Sequence, residues 1–177
     1  MRNQFDPESL KELIADFPDF PQPGIVFRDI SPLLHEPGAL AAASNCMASP
    51  FVDSSITHVV GIESRGFLFG PAIAEKLNAG FCPIRKPGKL PGELFSHSYG
   101  LEYGVDRLEI QSKAMGQGDR VLLVDDVLAT GGTLSAAEQL IAETGAEVVA
   151  ATVLIELDFL DGRQQLGVRD VVAVIHY

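Results

Sequence analysis

Two adjacent carboxylates, Asp125 and Asp126, close the apolar run RVLLVDD, and a loop of small residues, Ala129, Thr130, Gly131, Gly132 and Thr133, leads from them into a helical pattern. In open α/β sheets ligands bind beyond the carboxyl ends of strands, and a helix N-terminus offers free N–H groups and the positive end of its dipole. The loop is therefore a candidate phosphate cradle. Its glycines let the backbone approach an anion closely, and Thr130 and Thr133 add hydroxyl donors. The two acids would repel a phosphate in the same cup, so they suit sugar hydroxyls a short distance away. Ribose 5-phosphate, with phosphate at one end and hydroxyls beside it, has that form. A plainer alternative, acids that end a strand and glycines that turn a chain, explains each part but not their succession. Neither GxxxxGK[ST] nor GxGxxG occurs, which argues against a P-loop NTPase and a dinucleotide-binding protein.

A second concentration of chemistry is basic. Arg65, Lys76, Arg85, Lys86 and Lys89 are five of the 13 lysines and arginines, in a chain of net charge −11. An acidic chain is a poor nonspecific binder of nucleic acid, because counterion release needs a basic surface. Positive charge focused over a short stretch suits a small anion instead. Cys46 and Cys82 have no nearby Cys or His at zinc spacing, so free thiols are expected rather than a metal site or a disulfide.

The elements that must position these groups are readable from periodicity. Leu10, Leu13, Ile14 and Phe17 predict an opening helix over 8–17, and a second helix is expected over about 39–47. ITHVVGI and FCPIRK read as buried strands around a helix over 66–77, in which Pro71 is tolerable only near the start. Residues 86–104 are rich in Gly, Pro and aromatics without helical period, and read as a long mobile loop or ribbon. RVLLVDD, GGTLSAAEQLIAETG and EVVAATVLIEL form a strand–helix–strand unit, and VRDVVAVIHY supplies a final strand. That order implies right-handed crossovers and a parallel sheet. With 177 residues, no apolar run of membrane-spanning length and no signal core at the start, one cytoplasmic α/β domain is expected.

The strand, acid pair and ATGGT loop resemble the phosphoribosyl pyrophosphate signature of the phosphoribosyltransferase family. FPDFPQPGIVFRDISPLL (17–34), GIESRGFLFGP (61–71), IRKPGKLPG (84–92) and SYGLEYGVDRLEIQ (98–111) are similar, in the same order, to segments of its adenine-specific members. The resemblance spans nearly the whole chain. It departs at Phe95 and His97, where members vary, and at SKAMGQG, which replaces a more acidic linker.

The resemblance implies the type I fold, an open, mostly parallel α/β sheet flanked by helices, in a single domain over 1–177 with a base-binding hood over 1–35 and a flexible flap over 86–112. It implies transfer of ribose 5-phosphate from phosphoribosyl pyrophosphate to adenine, giving AMP and pyrophosphate in purine salvage, with Mg2+ bound mainly through substrate and with a homodimer. By the same resemblance, Ala129–Thr133 hold the 5-phosphate, and Asp125 and Asp126 face the ribose hydroxyls. Glu63, Ser64 and Arg65 form the pyrophosphate loop, with Arg85, Lys86 and Lys89 as its basic surroundings and Arg85 reaching the neighbouring subunit. Adenine would lie between Phe27 and Leu128, read by the Val26 backbone with Arg28 close by. Glu102 would move the proton, and Tyr99 and Tyr103 would help seal the flap. Two competing readings are a transferase for another purine base and a noncatalytic nucleotide sensor on the same fold.

Overall fold

The computed structural model describes residues 5–101, 104–168 and 170–177, with no side-chain description at 101, 104 and 105. Five strands, β3 (His58–Ile62), β4 (Gly80–Ile84), β7 (Arg120–Leu128), β8 (Glu147–Glu156) and β9 (Val171–His176), form one sheet in the order β4-β3-β7-β8-β9. Every pairing in it is parallel. Helix α4 (Gly70–Leu77) connects β3 to β4, and α5 (Gly132–Thr144) connects β7 to β8. Strand order therefore reverses between β3 and β7, and the crevice beyond their carboxyl ends is the switch point at which such sheets bind ligands.

One face of the sheet packs against α1 (Pro7–Glu12), α3 (Ala39–Ala48) and α4, the other against α5. The apolar residues that recur at helical spacing along α5, Leu134, Ala137, Leu140 and Ile141, are at most 1% exposed. Full burial of each Leu or Ile is worth about 1.5–3 kcal/mol, which fixes α5 and hence the loop at its start.

The N-terminal expectation is corrected. Helix α1 ends at Glu12, capped at its start by Asp6 and Ser9, and Ala15–Pro18 turns into a strand, β1. Pro18 pushes Phe17 towards extended backbone, and β1 gains an antiparallel partner in β2 (Val26–Asp29), pairing Asp16 with Arg28 and Phe17 with Phe27. This ribbon is the hood, followed by the five-residue helix α2 (Ser31–His35). The helix expected over 66–77 is likewise split: Arg65–Leu68 makes a tight 3-10 turn, and α4 begins at Gly70 with Pro71 in its first turn.

The flap segment is an antiparallel ribbon, β5 (Leu94–Leu101) with β6 (Gly104–Gln111). It is rooted rather than loose at its base. Leu108 and Ile110 are fully buried, and Arg85 and Glu109 exchange both backbone hydrogen bonds, at 2.9 and 2.8 Å. Both cysteines are free, and burial pushes the Cys82 thiol up to about 11. Among the described residues, no helix is long and apolar enough to cross a membrane.

Candidate active site

Strand β7 does not stop at its acids. Val127 and Leu128 continue the pairing with Ile155 and Glu156, so Asp125 and Asp126 lie inside the strand, each 5% exposed, rather than at an exposed end. Beyond Leu128 the chain folds around a small recess lined by residues 127–134. The first ladder bond of α5 runs from the Ser135 N–H to the Gly131 carbonyl, at 2.9 Å. Earlier N–H groups of a helix have no acceptor within it, and here they belong to the loop expected to hold phosphate. Gly131 takes φ +86°, whereas Gly132 does not take positive φ. The conformational demand therefore falls on Gly131.

The two acids part company. Asp125 joins Glu63, Ser64, Lys86, Tyr99 and Thr133 around a cavity of about 200 Å³. Its Oδ1 accepts from Ser64 Oγ at 2.6 Å and from the Asp126 N–H at 2.9 Å. Burial pushes the Asp125 carboxyl well above the usual carboxylate range, and the charge of Asp126 pushes the same way, against the hydrogen bond from Ser64. Asp126 turns instead to Arg65, with Nε and Oδ2 2.7 Å apart as an ion pair. That Oδ2 atom is buried and, among the described residues, has no partner in hydrogen-bond geometry.

The raised Asp125 value has a consequence for stability. A carboxyl that titrates higher in the folded than in the unfolded state stabilises the fold below its unfolded value, near 3.9, and loses that contribution as pH rises through the folded value. Asp125→Asn removes this loss and keeps an acceptor for Ser64. The melting temperature of the variant relative to the parent should therefore rise as pH is raised from about 4 to about 8. Thermal melts across that range decide it, and a constant or falling difference would refute the burial argument.

On the neighbouring strand end, Glu63 accepts from Arg85 Nε at 3.1 Å and from the Lys86 N–H at 2.6 Å. The Arg85 bond, then that of Lys86, hold its carboxyl below the usual range. Lys86 is ion-paired to Asp106, which also accepts from the Tyr99 hydroxyl at 3.3 Å. Thr133 Oγ1 reaches the same hydroxyl at 3.5 Å, so a polar chain ties the flap to the phosphate loop. Lys89 is exposed. Lys76 lies elsewhere, bonded to Asn45 and Ser49, so the basic stretch read from the sequence is not one cluster.

Under the hood, Val26 is 43% exposed and the Phe27 ring meets Phe20 edge-on at 5.3 Å. The Arg65 guanidinium lies 4.9 Å from the Phe27 ring centre and donates to the Arg28 carbonyl at 3.3 Å. Arg65 thus joins the strand-end loop, Asp126 and the hood. Arg28 pairs with Asp16 across the ribbon and stacks 3.8 Å from the Tyr177 ring centre. Asp29 is occupied elsewhere, accepting from Ser31 N and Oγ at 3.1 and 2.8 Å. Leu128, 1% exposed, lies two residues beyond Asp126. Glu102 and Tyr103 lie outside the described residues.

Sequence reasoning missed Asp16, Asp106, Tyr177, Gly162 and Arg163. Asp106 was findable, because pairing the flap as a ribbon sets it opposite Tyr99. Tyr177 is brought in only by the chain's return along β9, and the 162–163 turn by the excursion between β8 and β9.

A phosphate-sized recess at a helix N-terminus, acids buried beside it and cations on the facing strand end agree with what comparison finds. The phosphoribosyl transferase domain model matches residues 33–174. The adenine phosphoribosyltransferase of Koribacter versatilis is 51% identical over 170 residues, 96% of this chain and 93% of its own. The crystal structure of adenine phosphoribosyltransferase from Thermoanaerobacter pseudethanolicus superposes with a TM-score of 0.92 at 43% identity, covering 97% of this chain and 99% of that one. That of the Saccharomyces cerevisiae enzyme, complexed with an imino-altritol 1,6-bisphosphate and adenine, gives 0.89 at 41% identity, with 95% and 97% covered. On its fold, its site and these relatives, the chain belongs to the phosphoribosyltransferase family.

Proposed function

We propose that this chain transfers the ribose 5-phosphate of phosphoribosyl pyrophosphate to adenine, forming AMP and pyrophosphate. The observation that carries the reading is the adjacency of the 129–133 loop to buried acids and, across the switch point, to the Glu63–Arg65 strand end. The 5-phosphate sits on the free N–H groups at the start of α5, with the hydroxyls of Thr130 and Thr133. Asp125 lines the sugar cavity, and the buried Asp126 Oδ2 atom, ion-paired with Arg65 but without a hydrogen-bond partner among the described residues, can accept from a ribose hydroxyl. The diphosphate lies towards Ser64, Arg65 and Lys86, with Glu63 setting Arg85 and Lys89 adding positive charge. Adenine stacks against Phe27 beneath the hood, with Arg28 fixed by Asp16 and Tyr177. The other face expected from Leu128 is not available, because that side chain is 1% exposed and packed in the core against Gly162.

The bond from the anomeric carbon to the pyrophosphate oxygen breaks while a bond to adenine N9 forms on the opposite face. Positive charge grows on the sugar as in glycoside chemistry, and the N9 proton must leave. Mg2+ belongs to the same reading. Glu63 and Asp106 are already paired with Arg85 and Lys86, so few protein oxygens are free and the ion would be held mainly by substrate and water. When bound, it neutralises the departing diphosphate. The Glu156, Asp158 and His176 group is not an alternative, because Arg163 occupies both Glu156 oxygens. A homodimer and a cytoplasmic location complete the proposal.

Offering adenine, hypoxanthine, guanine and xanthine separately with phosphoribosyl pyrophosphate and Mg2+, and identifying the nucleotide formed, tests it. AMP from adenine alone supports the reading. Preference for another base moves the chain to a sibling activity, and binding of nucleotide without turnover makes it a sensor.

A further inference from the structure

We infer that the Asp161–Arg163 turn, clamped to Glu156, is the back wall that fixes the height of the 129–131 phosphate loop, with Gly162 as a positioning residue for the 5-phosphate. The inference rests on the cradle reading proposed above, and on contacts that the reaction does not use.

Gly162 is buried and opens a short 3-10 turn over Gly162–Gln165. A Cβ added there would overlap the Ala129 carbonyl oxygen and lie 2.9 Å from Leu128 Cδ1. The fit is reciprocal: a Cβ added to Gly131 would overlap the Gly162 carbonyl oxygen and lie 3.1 Å from Gln165 Cβ. Two stretches of backbone are thus in direct contact, one of them the floor of the proposed cradle. The first contact cannot exist with any larger residue at 162, nor the second with any larger residue at 131.

The wall is itself held. Arg163 donates to both oxygens of Glu156, from Nε at 2.6 Å and Nη2 at 2.5 Å, and from Nη1 to the Val171 carbonyl at 2.8 Å. Glu156, the last residue of β8, is 5% exposed, and it pairs with Leu128 in the β7–β8 register. The planar fork of arginine matches a carboxylate at two points, which lysine cannot do. One ion pair therefore locks the turn to the strands that bear the loop. Packed interiors pass such displacements on instead of absorbing them, so moving the turn moves the loop.

The obstructed groups differ in how they yield. The Leu128 methyl is the end of a side chain and can rotate, whereas the Ala129 carbonyl belongs to backbone and cannot move without reshaping the loop. Gly162→Ala should therefore damage recognition of phosphate far more than recognition of the base. Misplacement of a binding group by about 1 Å can cost up to 10²-fold.

The test is calorimetric binding of AMP and adenosine, which differ only in the 5-phosphate, to the parent, Gly162→Ala and Arg163→Lys, with a thermal melt of each. The parent should bind AMP at least roughly tenfold tighter than adenosine. Gly162→Ala should weaken AMP by at least about tenfold and adenosine by less than about threefold. Arg163→Lys should weaken AMP by about three- to tenfold with adenosine unchanged, and it decides the matter should Gly162→Ala not fold. A merely structural turn would lower the melt and weaken both ligands alike, which overturns the inference. So does AMP binding within twofold of the parent in the folded variants, which leaves the cradle reading standing. A parent that prefers AMP no more than adenosine removes both.

Discussion

A Glu102→Gln enzyme is expected to turn over roughly 10²- to 10⁴-fold more slowly than the parent, the usual contribution of a general acid or base, with much smaller changes in substrate affinity. Adenine must shed its N9 proton or gain a compensating hydrogen bond on its imidazole ring as the bond to ribose forms, and a carboxylate carried on a closing flap can do either. Sequence alone gives Glu93 and Glu109 an equal chemical claim. The fold removes Glu109. Glu109, 6% exposed, accepts from the Gly88 N–H at 3.0 Å and from Ser96 Oγ at 3.3 Å, and so anchors the flap instead of facing a substrate. In Glu109→Gln an amide placed against those donors should lower the melting temperature while kcat stays close to the parent's. Steady-state kinetics with melts of both variants separate the cases, and a Glu102→Gln enzyme within a few fold of the parent would leave positioning and electrostatics as the whole of catalysis.

Gly131→Val is expected to weaken AMP binding by about 10²-fold or more, a larger effect than Gly132→Val. Valine is β-branched, and holding it at φ +86° costs about 1–3 kcal/mol, which at 1.4 kcal/mol per decade is roughly 5- to 150-fold. The steric conflict with the Gly162 carbonyl adds to this. The loop relaxes by leaving its binding shape, and restoring that shape on binding subtracts from affinity. At Gly132 a Cβ would find only ordinary contacts, 3.9 Å from the Gly100 carbonyl and 4.0 Å from Tyr99 Cδ2, so a substitution there disturbs the flap more than the loop. Calorimetry with AMP on both variants gives the order. Equal losses would mean that the cradle uses the two glycines alike.

The strand, acid pair, loop and helix were legible because each is a local pattern. Val121–Val124 form a buried run, α5 carries its stripe at 3.6-residue spacing, and small residues lie between them. The opening helix was overextended for a complementary reason. Leu10–Phe17 keeps helical spacing, but Phe17 gains more from pairing with Phe27, ten residues on, than from continuing the helix. Periodicity cannot see a partner strand. The same blindness made an exposed strand end of Asp125 and Asp126, since their burial depends on β8 lying alongside and on Ser64 and Arg65 arriving from another strand end.

Sequence by itself determined the parallel α/β class, the family resemblance and the residue types of the site, because these reside in contiguous segments whose chemistry survives without neighbours. Tertiary structure alone decided which charges meet: Arg65 with Asp126, Arg85 with Glu63, Lys86 with Asp106 and Arg163 with Glu156. It also decided that Gly131 rests on Gly162. Those pairs are separated by 61, 22, 20, 7 and 31 positions along the chain. A side chain's partner at such separations is set by strand order and by where each loop returns, and no local pattern encodes either.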